Sequence, residues 1–153
     1  MSMYYGNGKG KTALAMGQGI RAIAKGKRVG MIQFLDYYEF QEFQPLKSME
    51  PNFRVFKFQK EKELPDETSG LKNEVAQALI FAKKILETGE YDLVILDGIL
   101  DAVGRHALSE EEVLELLEKR SYDVDVVLTG TAHCSRILAA CSYVCHMETE
   151  KEA

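Results

Sequence analysis

The sequence predicts an α/β fold, a parallel sheet of about five to six strands with helices on both faces. Three observations predict it. Short β-branched apolar runs end in turn residues, helical patterns separate these runs, and the runs lack strict alternation, as strands covered on both faces do. The clearest are "RVGMIQF" (Arg28–Phe34), "YDLVILD" (Tyr91–Asp97) and "VDVVLTG" (Val124–Gly130); "FRVFKF" (Phe53–Phe58) and "YVCHM" (Tyr143–Met147) are weaker. At 153 residues and 46% hydrophobic content, the chain is long enough for one core and short for two, so residues 1–153 are expected to form a single domain.

The elements follow in order. Met3, Tyr4 and Tyr5 read as a strand leading into three glycines in five positions, Gly6, Gly8 and Gly10. Lys11 to Lys25 carry no proline and place Leu14, Ile20 and Ile23 among small residues, so a helix is expected there, closed by Gly26. Leu71, Val75, Ala78, Leu79, Ala82, Ile85 and Leu86 share one helical face that ends at Gly89. Ser109 with Glu112 forms a capping-box pattern, so a further helix is expected to begin near Glu110. Leu35 to Asn52 and Gln59 to Ser69 read as long irregular stretches, and long loops in compact domains are usually functional or mobile. Alternation of strands with helices implies βαβ units.

The stretch "GNGKGKTA" (Gly6–Ala13) carries the chemistry. Glycines let backbone N–H groups converge on phosphate oxygens, the following helix offers its positive end, and a lysine adds full charge. Gly10, Lys11 and Thr12 fit the end of the pattern G-x-x-x-x-G-K-[ST], while Tyr5 occupies its first glycine position. Gly6, Asn7, Gly8, Lys9, Gly10, Lys11, Thr12 and Ala13 are therefore the expected phosphate-loop residues. Such loops hold Mg²⁺ through the Ser or Thr and an acidic residue ending a neighbouring apolar strand. Thr12 and Asp97 are those candidates, with Asp101 facing the same site if Gly98 to Asp101 begins a helical turn. Lys11, Thr12 and Asp97 are the candidate catalytic residues.

A net charge of −5 and a pI near 5.3 argue against nucleic acid as the main partner, since that binding needs Lys and Arg to neutralise phosphates. No apolar run approaches the ~20 residues needed to span a bilayer, and no leader precedes the glycine loop, so a cytoplasmic protein is expected. His133, Cys134, Cys141, Cys145 and His146 cluster in sequence but lack a C-x2-C knuckle, and are read as packing residues with reduced thiols. "DYYEFQEF" (Asp36–Phe43) follows a strand end, where ligands bind in open α/β sheets. It reads either as a wall for a large flat ligand or as ordinary loop aromatics.

With these residues in place, "GNGKGKTALAMGQGIRAIAKGKRVGMIQF" resembles the opening of the P-loop-type ATP:corrinoid adenosyltransferases, which share the P-loop NTPase-like sheet. The resemblance continues through "PNFRVFKF", "ILETGEYDLVILD", "SEEEVLELLEKR", "DVVLTG" and "ILAACSYVCHM". It implies transfer of the 5′-deoxyadenosyl group of ATP to the Co(I) of a reduced corrinoid with release of triphosphate, with Mg²⁺ as cofactor, and it leaves room for a reductase that supplies Co(I) and for a homodimer, although the oligomeric state is not readable in the sequence. The chain departs from the family pattern at Gly98, where Glu is common, at Thr131, where Arg is usual, and at Asp36, where Lys is frequent; a Glu at position 98 is expected to restore a Mg²⁺ ligand. A nucleotide-binding protein without transferase activity, and a P-loop phosphotransferase or ATPase, are the alternatives.

Overall fold

A computed structural model describes residues 1–35, 40–58 and 69–152. Its six strands form one parallel sheet in the order β3-β2-β4-β5-β1-β6. These are β1 (Ser2–Tyr5), β2 (Val29–Gln33), β3 (Phe53–Lys57), β4 (Leu93–Asp97), β5 (Asp125–Gly130) and β6 (Tyr143–His146). Five α-helices join them: α1 (Lys11–Ala24), α2 (Ser69–Thr88), α3 (Ile99–Gly104), α4 (Glu110–Glu118) and α5 (Ser135–Ala140).

Successive residues of a strand point to opposite faces, and the core divides accordingly. Leu93 and Ile95 join Val29, Met31, Phe53, Val127 and Ala15 of α1 on one face. Val94 and Leu96 join Ile32, Val126 and Leu128 on the other, packed by α2, α3, α4 and α5. Both sides of β2 and β4 are thus covered, and every residue of these two strands is buried. The strands with weaker sequence signals, β3 and β6, are the sheet edges, where half-exposed positions dilute the apolar run.

Local chemistry sets the helix ends. Ser109 accepts from the Glu112 N–H while the Glu112 carboxylate accepts from the Ser109 N–H, so the capping box forms as its pattern predicts. Gly89, at φ 66°, follows α2 in the left-handed region that glycine tolerates. The stretch expected to be an irregular loop from Leu35 instead holds a 3-10 helix over Phe40–Met49, which carries Pro45 and buries Leu46 against the α1 face of the sheet. Asp36 to Glu39, and the side chains of Phe40 to Phe43, lie outside the described residues, and with them the aromatic wall expected there.

Among the described residues no helix is long and apolar enough to cross a membrane. Cys134 and Cys141 pack in the core on the α2 side and Cys145 in that on the α1 side. The sheet divides the three thiols, and burial pushes the Cys134 thiol up to about 11, which keeps it protonated.

Candidate functional site

The site lies where β1, β4 and β5 end and α1 begins. Gly10, at φ 104°, turns the chain into α1 from the left-handed region, and a Cβ there would meet nothing nearer than 3.8 Å. Gly6 and Gly8 are small for another reason. A Cβ on Gly6 would sit 2.2 Å from the Met147 carbonyl oxygen, and one on Gly8 would sit 2.9 Å from the Met147 carbonyl carbon. The chain after β6 runs against the glycine loop, with the Gly8 N–H donating to the Met147 carbonyl at 2.8 Å and the Gly6 N–H to the Thr131 carbonyl at 3.2 Å.

Lys11 Nζ donates to the Gly8 carbonyl at 2.6 Å. Burial lowers its pKa, and the carboxylates of Asp101 and then Asp97 work in the opposite direction. Thr12, at the first turn of α1, donates its hydroxyl to Asp97 Oδ1 at 2.8 Å. Asp97 Oδ1 also accepts from Thr129 Oγ1 at 2.7 Å, and Oδ2 accepts from Gln33 Nε2 at 3.2 Å. Asp97 is 3% exposed. Burial raises its pKa, against the three hydrogen bonds that stabilise the carboxylate, and Asp101 raises it further. Thr129 is itself held, accepting from the Gly98 N–H at 3.0 Å.

Asp101 lies in the first turn of α3, whose start at Gly98 brings it to the same place as Asp97. Its Oδ1 accepts from the Thr131 N–H at 2.9 Å. Lys11, Thr12, Asp97 and Asp101 together line one cavity of about 170 Å³, closed by Leu35 and the turns at Gly98 and Gly130. Position 98 does not suit the side chain that the family pattern would put there. Gly98 has φ 76°, and a Cβ would lie 3.0 Å from the Leu35 carbonyl oxygen and 3.2 Å from its nitrogen. This geometry weighs against Glu at 98 as a ligand, because the backbone is left-handed and crowded.

The remaining loop residues divide. Asn7 Oδ1 accepts from the Thr149 N–H at 3.4 Å, and Lys9 pairs with Glu152 in an exposed contact, so both face the segment after β6. Ala13 is exposed on the first turn of α1. Sequence reasoning missed Gln33 and Thr129. The signal was present in "MIQF" and "VLTG", where a polar residue closes an apolar strand as Asp97 closes "LVILD". Among the described residues no group of three or more His, Cys, Asp and Glu side chains could hold a metal by itself.

A phosphate loop between a strand and a helix, with an acidic residue ending a buried neighbouring strand, defines a nucleotide-binding protein of the P-loop NTPase fold. Solved structures share that fold. The flagellar accessory protein FlaH from Methanocaldococcus jannaschii superposes with a TM-score of 0.56 at 12% identity, over 91% of this chain and 64% of that one. The replication initiator DnaA bound to AMPPCP and single-stranded DNA gives 0.50 at 16% identity, over 98% of this chain and 40% of that one. The family is narrower than the fold: residues 1–153 match the model of the ATP:corrinoid adenosyltransferases BtuR/CobO/CobP, and the chain belongs to that family. The corrinoid adenosyltransferase of Escherichia coli strain K12 is 30% identical over 154 residues, covering 99% of this chain and 77% of the relative. The corrinoid adenosyltransferase CobA of Salmonella typhimurium strain LT2 is 29% identical over 155 residues with the same coverage.

Proposed function

We propose that this chain transfers the 5′-deoxyadenosyl group of ATP to the Co(I) of a reduced corrinoid. In that reaction the cobalt electron pair forms the Co–C5′ bond, the C5′–O bond breaks, and the electrons leave with intact triphosphate. The observation that carries the reading is the meeting of Lys11, Thr12, Asp97 and Asp101 in one cavity at the start of α1, in a chain of the adenosyltransferase family. The nucleophile needs no deprotonation, so the protein's task is to orient ATP and to stabilise charge on the departing triphosphate. The Lys11 ammonium and the N–H groups of the first turn of α1 suit that task.

The donor set fits Mg²⁺, which takes hard oxygen ligands and keeps several waters. Thr12 has committed its proton to Asp97, which leaves oxygen lone pairs for a cation. Asp97, with Oδ1 holding two hydroxyls, acts from behind Thr12, and Asp101, whose Oδ1 holds the Thr131 N–H, is the second carboxylate of the cavity, in place of a side chain at 98. Bound there, the cation would neutralise part of the triphosphate charge. The reading also implies a cytoplasmic setting and a reductase that delivers Co(I).

The test is anaerobic mixing of the protein, Mg-ATP and a chemically reduced corrinoid. The expected result is the visible-spectrum change of a Co–C bond with stoichiometric triphosphate, dependent on the corrinoid. ADP and orthophosphate released without corrinoid would identify a phosphotransferase or ATPase. ATP bound but left intact would identify a binding protein.

A further inference from the structure

Gln33 closes β2 directly opposite Asp97, its register partner on β4. It is 1% exposed, although a carboxamide at the end of an apolar strand is a costly choice unless both of its ends are satisfied. Only one is. Nε2 donates to Asp97 Oδ2 at 3.2 Å, and Oε1 has no hydrogen-bond partner among the described residues. The orientation of the amide is not arbitrary: reversed, it would set two acceptor oxygens against each other. The carboxylate therefore holds the amide nitrogen and leaves the amide oxygen as a buried acceptor one residue from the cavity wall at Asp97.

Gln33 and Asp97 end β2 and β4, Thr129 stands one residue before the end of the adjacent β5, all three on the face that α1 covers, and Thr12 of α1 bonds Asp97 there. The two hydroxyls and the amide nitrogen supply every donor that Asp97 receives in this row. What the row lacks is a donor for Gln33 Oε1. A hydrated divalent cation arriving with a polyphosphate brings such donors, because each water in its shell carries two protons.

We propose that Gln33 is a positioning residue of the nucleotide site, its Nε2 fixing the Oδ2 edge of Asp97 and its Oε1 accepting a hydrogen bond from a water of the cation that accompanies the triphosphate. The inference rests on the reading of this cavity as a Mg-ATP site. It makes Gln33 a determinant of how much Mg²⁺ the protein needs, separate from how tightly it holds the nucleotide alone. A purely structural amide would affect folding and leave the Mg²⁺ requirement untouched.

The test is calorimetric titration of ATP into wild type and Gln33→Leu across a series of Mg²⁺ concentrations, with thermal melts of both. Gln33→Leu should lose far less affinity for Mg-free ATP than for Mg-ATP and need about tenfold more Mg²⁺ for the tightened complex, the scale seen when a group behind a metal's own ligands is lost. The paramagnetic resonance of Mn²⁺ in the ATP complex should report the same loss. A Gln33→Leu protein that folds and titrates with Mg²⁺ as wild type does overturns the proposal, whatever its melting temperature. If that variant does not fold, Gln33→Met, which keeps the length and removes both polar atoms, is read by the same two outcomes. A wild-type protein whose ATP affinity ignores Mg²⁺ overturns the cation site itself, and Gln33's role with it.

Discussion

Thr12 and Thr129 donate their hydroxyls to the same oxygen, Oδ1 of Asp97, at 2.8 and 2.7 Å. The carboxylate is buried, and burial holds its pKa above the ordinary 3.8. The folded chain therefore binds that proton more tightly than the unfolded chain does. The stabilising contribution is full below the unfolded value and is lost as pH rises through the folded one. Above the unfolded value the empty protein bears the cost of burying this carboxyl. Asp97→Asn keeps Oδ1 as acceptor for both hydroxyls and, once the Gln33 amide reverses so that its oxygen accepts from the new N–H, should raise the melting temperature of the nucleotide-free protein at neutral pH, with the gain shrinking as the solution is acidified. The same variant should lose Mg-dependent ATP binding. Melts at a series of pH values, read against calorimetry, check both halves.

Lys11 is half-buried beside the loop, and its ammonium is bonded to the Gly8 carbonyl. Lys11→Ala should weaken ATP binding by roughly 1.5–3 kcal/mol, the scale of a charge-assisted hydrogen bond. The loss should shrink in high salt less than a surface contact would, because the site is partly shielded. Equal ATP affinity in variant and wild type would remove the phosphate-loop reading.

Asp101→Asn separates charge from architecture. The amide oxygen can still accept from the Thr131 N–H that Asp101 Oδ1 now holds, so the turn is kept while the carboxylate is lost. The expected outcome is a melting temperature close to wild type and a weakening of Mg-ATP affinity by about 1.5–3 kcal/mol, the range of a hydrogen bond to a charged group. Unchanged Mg²⁺ dependence would exclude Asp101 from the cation site.

Gly98→Glu tests the backbone. With φ at 76° and a Cβ position 3.0 Å from the Leu35 carbonyl oxygen, any side chain at 98 is strained, at a cost of about 1–3 kcal/mol. Urea unfolding should show that loss, with no gain in Mg²⁺ affinity. A stable variant with tighter Mg²⁺ binding would show that the turn relaxes and that the carboxylate can stand at either position.

Gly10, Lys11, Thr12 and Asp97 were legible because their signals are local: a loop motif before a helix pattern, and an acid at the end of an apolar run. The Ser109–Glu112 box was legible for the same reason. Gln33 and Thr129 were not, since their place beside Asp97 depends on β2 and β5 flanking β4, and strand order leaves no mark on periodicity. The small size of Gly6 and Gly8 was legible, but its cause was not, because the atoms they avoid belong to Met147 at the far end of the sequence. The 3-10 helix over Phe40–Met49 escaped because a proline and the absence of an apolar stripe at 3.6-residue spacing make it look like a loop.

β1 precedes the other five strands of this sheet in the sequence, yet among the described residues it pairs with β5 and β6, Ser2 standing opposite Val127 on one side and Tyr143 on the other. The glycine loop that follows it leans on Thr131 and Met147. A nascent chain that has emerged only as far as β4 carries the whole loop motif without the strands that support it. Nucleotide therefore cannot serve as an early template for folding this domain, and any stabilisation by ATP acts only once the end of the sheet is in place. Ribosome-arrested chains of increasing length would acquire ATP binding in a single late step.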